Sequence, residues 1–150
     1  MTDYIAKATM LIRRPVAEVF DAFVDPDKIT KFWLEATTGP LTKDAQVSWR
    51  FMVPGATEVV TVTAFEDQRC IAFDWSDGIS VNMEFKDHGN RTTRLAVEVI
   101  GFQNGHAVDQ VVNATEGFSI VLCDLKTLLE TGRSASLVRD KAELIVCESK

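Results

Sequence analysis

Two histidines, His88 and His106, come first for chemistry, because imidazole is the side chain whose ordinary pKa lies near neutrality. His88 falls in the turn-forming run Asp87-His88-Gly89-Asn90, an exposed setting, and His106 follows Asn104-Gly105 just ahead of a long helical stretch, near the expected rim of the fold. A carboxylate can act as acid or base when burial raises its pKa, but Asp74, Glu84 and Glu98 alternate with apolar neighbours and are expected to face water. Three cysteines, Cys70, Cys123 and Cys147, are widely spaced without a Cys-x-x-Cys, which suggests reduced thiols rather than a disulfide framework or a zinc site. Cys123 has no base beside it and is expected to be inert. No paired-carboxylate spacing, glycine-rich phosphate loop, nucleophile elbow or metal-ligand cluster is present. These groups favour binding over catalysis, and no cofactor is expected.

The stronger pattern is apolar and belongs to strands. Val47, Trp49 and Phe51 alternate with Gln46, Ser48 and Arg50; Val81, Met83 and Phe85 alternate with Asn82, Glu84 and Lys86; Leu95, Val97 and Val99 alternate with Arg94, Ala96 and Glu98. Cys70 to Trp75 is a further strand, and Thr57 to Phe65 is a β-branched run with two plausible inner faces, Val60/Val62 and Val59/Thr61/Thr63/Phe65. Pro54-Gly55, Ser76-Asp77-Gly78 and Asp87 to Asn90 are turn signals, so these five segments are expected to run as an antiparallel meander.

Ahead of the meander, Tyr4 to Ile12 reads as a strand that Arg13-Arg14-Pro15 ends. Val16, Val19, Phe20, Phe23 and Val24 recur at helical spacing, and Asp25-Pro26 then starts a second short helix, carrying Ile29, Phe32 and Trp33, with Asp25 as N-cap. Leu34 to Asp44 reads as a loop. After the meander comes one dominant helix, Val108 to about Glu130, roughly 35 Å long against about 23 Å for a seven-residue strand. On a helical wheel Val111, Leu122, Leu125 and Leu129 lie within about 40° of Phe118, with Asp109, Asn113, Glu116, Asp124, Thr127 and Glu130 opposite. Ile120 and Cys123 fall on the nominally wet face, where a tail helix bearing Leu137, Val138, Leu144 and Ile145, set off by a stop at Gly132, would cover them. The order β, α, α, five β, α implies an α+β fold: a curved antiparallel sheet wrapped around a long C-terminal helix, with two short helices after the first strand. Such an arrangement encloses space suited to a small apolar molecule.

At 150 residues the chain is expected to be one domain, spanning 1–150 with a core at about 4–132 and an extension at about 133–150. Composition is that of a globular protein, 46% hydrophobic and 25% charged. A formal charge of −6 opposes the phosphate neutralisation that drives nucleic-acid binding, so no nucleic-acid partner is expected. With no signal-like N-terminus and no run of 18 apolar residues, no membrane association is expected either, and the location is read as cytoplasmic.

Three stretches carry a family likeness: PVAEVFDAFVDPDKITKFW, the strand pair VSWRF and CIAFDWSDG, and ATEGFSIVLCDLKTLLETG. Together they resemble the activator of heat-shock-protein-90 ATPase homologue family, within the START-like superfamily of helix-grip folds (SRPBCC, Bet v 1-like) that also holds polyketide cyclases and ligand carriers. The likeness covers Tyr4 to about Gly132, departing at Lys43-Asp44-Ala45-Gln46, where many members carry a glycine, and in the segment from Ser134 to Lys150. It implies a cavity between sheet and long helix for a small hydrophobic ligand, lined by Trp49, Phe51, Phe73, Trp75, Met83, Phe85, Phe118 and Leu122. Phe32 and Trp33, on the short helix at the expected mouth, are candidates for a gate, since tryptophan is seldom fully buried. A filled core is the competing reading of the same pattern. Ligand binding without catalysis is the leading expectation; a protein-interaction module of the co-chaperone kind and a polyketide cyclase-like enzyme are the alternatives. The oligomeric state stays open, a homodimer included.

Overall fold

The computed structural model describes residues 4–103 and 105–148. In chain order the elements are β1 (Ala6–Ile12), α1 (Val16–Val24), α2 (Pro26–Ile29), β2 (Leu34–Thr37), β3 (Gln46–Phe51), β4 (Thr57–Glu66), β5 (Cys70–Trp75), β6 (Ser80–Gly89), β7 (Thr92–Ile100), α3 (Ala107–Thr131) and α4 (Leu137–Glu148). One seven-stranded sheet runs β1-β7-β6-β5-β4-β3-β2, every pair antiparallel, and curls around α3 in a helix grip. The alternation in β3, β5, β6 and β7 delivers Trp49, Phe73, Met83, Leu95 and Val97 to the inner face, each at most 1% exposed. Two helix signals act as their chemistry requires. Asp25 Oδ1 accepts from Asp27 N at 2.9 Å to cap α2, and Gly132, with φ at 85°, ends α3 by donating its N–H to Leu128 O at 2.8 Å.

Four local features differ from the sequence reading. Leu34–Thr37 is not loop but the edge strand β2, too short to show alternation, and its ladder is extended by Thr38, which donates N–H to Ser48 O and accepts at Oγ1 from Ser48 N at 2.9 Å. In β4 both faces looked apolar because a bulge at Thr63, between Val62↔Phe73 and Ala64↔Ala72, reverses the alternation. Val60 and Val62 point inward before it and Phe65 after it, against Phe20 at 5.4 Å, while Val59 is exposed. The β6–β7 turn sits further along than expected, at Asn90-Arg91, whose φ values of 54° and 57° suit a tight two-residue hairpin. His88 therefore belongs to β6, exposed. In the Lys43-Asp44-Ala45-Gln46 corner, Asp44 takes a positive φ of 60°, a conformation that aspartate tolerates better than most residues.

The fourth difference concerns Asp124, placed opposite the core by the helical wheel yet only 1% exposed. Ser134 Oγ donates to one of its carboxylate oxygens at 2.6 Å and the Ala135 N–H to the other at 2.7 Å, so the chain after Gly132 folds back over it and satisfies both. That return starts α4, which lies along α3 and is pinned by the ion pairs Lys141–Glu116 (3.0 Å) and Arg139–Glu35 (2.8 Å), the second reaching β2. Ile120 is half-buried and lines the same cavity as Val138, Ala142 and Ile145 of the tail, whereas Cys123 remains exposed.

In the last turns of α3, Glu130 Oε2 accepts from the Arg13 N–H at 2.8 Å and from Lys126 Nζ at 2.6 Å, while Lys126 also donates to Leu11 O at 2.7 Å. Burial by itself would raise the Glu130 pKa, but the Arg13 N–H and the Lys126 ammonium outweigh it and hold the carboxyl below its ordinary value. A depressed folded pKa gives stability that is present above the unfolded value and lost as pH falls through the folded one. Glu130→Gln is therefore expected to be less stable than the parent at pH 7, with the gap closing as urea melts are repeated from pH 5 down to pH 3; an unchanged gap would contradict this docking role.

Candidate ligand site

The concave face is filled unevenly. Phe20 and Phe23 of α1 meet Phe85 at 5.0 and 5.9 Å, and Phe23 meets Phe32 at 5.4 Å, all edge-on, so this end is solid. Trp49 continues the aromatic row, with Trp33 at 4.9 Å, Phe73 at 5.2 Å and Phe51 at 6.2 Å. Phe51 closes β3 and Trp75 closes β5, both half-buried, and Trp75 lies nearly parallel to Phe118 at 13° with centroids 6.1 Å apart.

A cavity of ≈ 320 Å³ opens there, at the lower end of the usual small-ligand range. The α2–β2 turn contributes Trp33; the ends of β3 and β5 contribute Phe51 and Trp75; the β3–β4 turn adds Met52, Val53 and Ala56. From α3 come Asn113, Ala114, Gly117, Phe118, Ile120 and Val121, and α4 completes the wall with Val138, Lys141, Ala142 and Ile145. Gly117 leaves open space where a Cβ would otherwise project, with no heavy atom within 4 Å of that position. The Trp75 Nε1 is buried without a hydrogen-bond partner, a cost on the order of 1–3 kcal/mol.

The residues expected to line a ligand site thus divide into two sets. Trp33, Phe51, Trp75 and Phe118 stand together on the cavity wall. Trp49, Phe73, Met83, Phe85 and Leu122 do not; each is at most 5% exposed, because α1 and the inner face of α3 fill the space above them. Phe32 is fully buried against Phe23 rather than at the mouth, so of the expected gate only Trp33 borders the cavity. Periodicity missed Gly117, Ile120 and the whole α4 contribution, although Ile120 on the nominally wet face was a signal of it.

His106 lies away from this wall, beside Tyr4 and Val108 in a separate hollow of ≈ 310 Å³ at the start of α3. Cys70 is half-buried, and burial pushes its thiol up, away from the reactive thiolate. A larger hollow of ≈ 660 Å³ near α1 is lined by Arg14, Glu18, Asp21, Lys28, Asp67 and Arg91. Its charges are largely spent on one another, as in the Arg14–Glu18 (2.9 Å) and Lys28–Asp21 ion pairs, so the apolar cavity is the better ligand site despite its smaller volume.

Comparison with known proteins places these features in a wider set. The sequence profile described as "Activator of Hsp90 ATPase homolog 1-like protein" matches residues 13–130. No significant match is found among curated proteins. Among solved structures, a protein of Staphylococcus saprophyticus is similar with a TM-score of 0.78 at 26% identity, over 87% of this chain and 95% of its own. DynU16, a protein of the dynemicin biosynthetic locus, gives 0.78 at 22% identity over 89% of this chain but 49% of its own. The Aha1 dimer of Colwellia psychrerythraea gives 0.78 at 15% identity, over 87% and 99%. The last two likenesses are of fold alone.

Proposed function

This chain belongs to the activator of Hsp90 ATPase homolog 1-like family, and we propose that it binds a small, largely apolar molecule in the cavity between the open end of the sheet, α3 and α4. The observation that carries this is the wall itself: Trp33, Phe51, Trp75 and Phe118 converge on unfilled space while the aromatic rings beside them are tightly packed. An apolar cavity left empty forfeits the contacts its lining could make, and an apolar guest restores them. Binding is favoured over cyclase-like chemistry by the same wall, on which Lys141 is the one ionisable side chain among the described residues, already paired with Glu116.

Native mass spectrometry of the freshly purified protein tests this. A complex heavier than the bare chain by the mass of a small molecule, which returns to the bare mass after unfolding and extraction, is expected. A bare chain that also fails to take up the neutral probe 2-naphthalenemethanol would sink the proposal. The spectrum also counts subunits, and a homodimer would register as a doubled mass.

A docking role is the second reading, favoured by Val108 and Val112, one turn apart on α3 and 61% and 60% exposed. No helix among the described residues is long and apolar enough to cross a membrane.

A further inference from the structure

We infer that the molecule held in this cavity is an amphipathic acid, its apolar body among the aromatic rings and its anionic head, a carboxylate in the simplest case, paired with Lys141. This rests on the binding role proposed above and adds the chemistry of the ligand's polar end. Asn113 on α3 and Lys141 on α4 are the two non-aromatic polar side chains on the wall. Among the described residues Lys141 is the one cation on the wall, while the Trp75 N–H is buried.

Lys141 is held in place by Glu116, at 3.0 Å, whose own side chain is 53% exposed and lies outside the cavity wall. An ion pair so exposed is worth little, so a ligand carboxylate arriving from within the cavity displaces Glu116 at small cost and returns it to water. The new pair, sheltered by the ligand's own body, is less screened than the one it replaces. An amine in the same position would face the Lys141 charge, and a neutral head would gain at most a hydrogen bond. Glu116 thus acts as a resident substitute for the ligand's acid group, and the exchange selects for anionic amphipaths.

Three probes sharing one ring system separate these possibilities in calorimetric titrations of the full chain: 2-naphthoate, 2-naphthalenemethanol and 2-naphthylmethylammonium. The acid is expected to bind about tenfold more tightly than the alcohol, and the ammonium more weakly than either. Lys141→Met, which keeps the aliphatic stem, should weaken the acid by about tenfold more than it weakens the alcohol, erasing the acid's advantage. Glu116→Gln should strengthen the acid by about threefold, because it removes the competitor. If the Lys141–Glu116 pair only fastens α4, both variants will move every probe in the same direction, and the inference falls. Equal binding of acid and alcohol to the parent overturns the acid inference but leaves the binding role standing; failure of both to bind overturns the two together.

Discussion

Trp49→Ala is expected to cost about 3–5 kcal/mol of unfolding free energy, the range for truncating a large buried aromatic residue. Trp49 is 1% exposed and touches the rings of Trp33, Phe51 and Phe73, so it joins the turn after α2 to the middle of the sheet. Its loss leaves a void that α3 cannot close, since Leu122 and Leu125 are already fully buried. Urea unfolding should show a midpoint far below the parent's with an unchanged slope. Trp49→Phe, which keeps a ring in place, should recover more than half of the deficit. A change below about 1 kcal/mol for the alanine variant would mean that this row is not the packed centre described above.

Gly117→Phe is expected to act in the opposite sense on stability while removing binding. Glycine within a helix costs about 1 kcal/mol relative to alanine, and Gly117 occurs well inside α3 with nothing near the position of a Cβ. Its absent side chain is part of the cavity volume. Gly117→Ala should therefore raise the unfolding free energy by about 1 kcal/mol and still bind. Gly117→Phe, adding a ring to the cavity wall, should lower affinity for 2-naphthalenemethanol on the order of a hundredfold without loss of the fold. Undiminished binding by Gly117→Phe would show that ligands sit elsewhere.

The contrast between Trp49 and Trp75 shows where sequence reasoning reaches its limit. Both occupy inward positions of alternating strands, and periodicity treats them alike; one is sealed in the core and the other lines empty space. Trp49 is enclosed by the rings of Trp33, Phe51 and Phe73, whereas Trp75 faces the space between α3 and α4, a property of three-dimensional assembly. The same limit accounts for Asp124. A helical wheel turns it toward water, and only the return of Ser134 and Ala135 over α3 makes its burial affordable. Local chemistry was more legible. Asp25-Pro26 and Gly132 mark helix ends through interactions within a few residues, and the strand alternation of β3, β6 and β7 gave the inner face correctly. In β4 one inserted residue, Thr63, defeats alternation because a bulge leaves no mark in a run of β-branched residues. For the site, Trp33, Phe51, Trp75 and Phe118 were legible as inward aromatics, whereas Lys141 was not, since nothing in the charged tail reveals which of its turns lies against α3.

The most direct measurement of the central claim is a titration with 2-naphthalenemethanol followed by the three tryptophan indole N–H signals in nitrogen–proton correlation spectra. Binding in the cavity predicts saturable shifts that are largest for Trp33 and Trp75, on its wall, and small for Trp49, sealed behind them. Backbone signals of Ala114, Gly117 and Val138 should move with the same affinity. Shifts centred on Val108 and Val112, or no saturable shift at Trp75, would contradict a ligand cavity beneath α4.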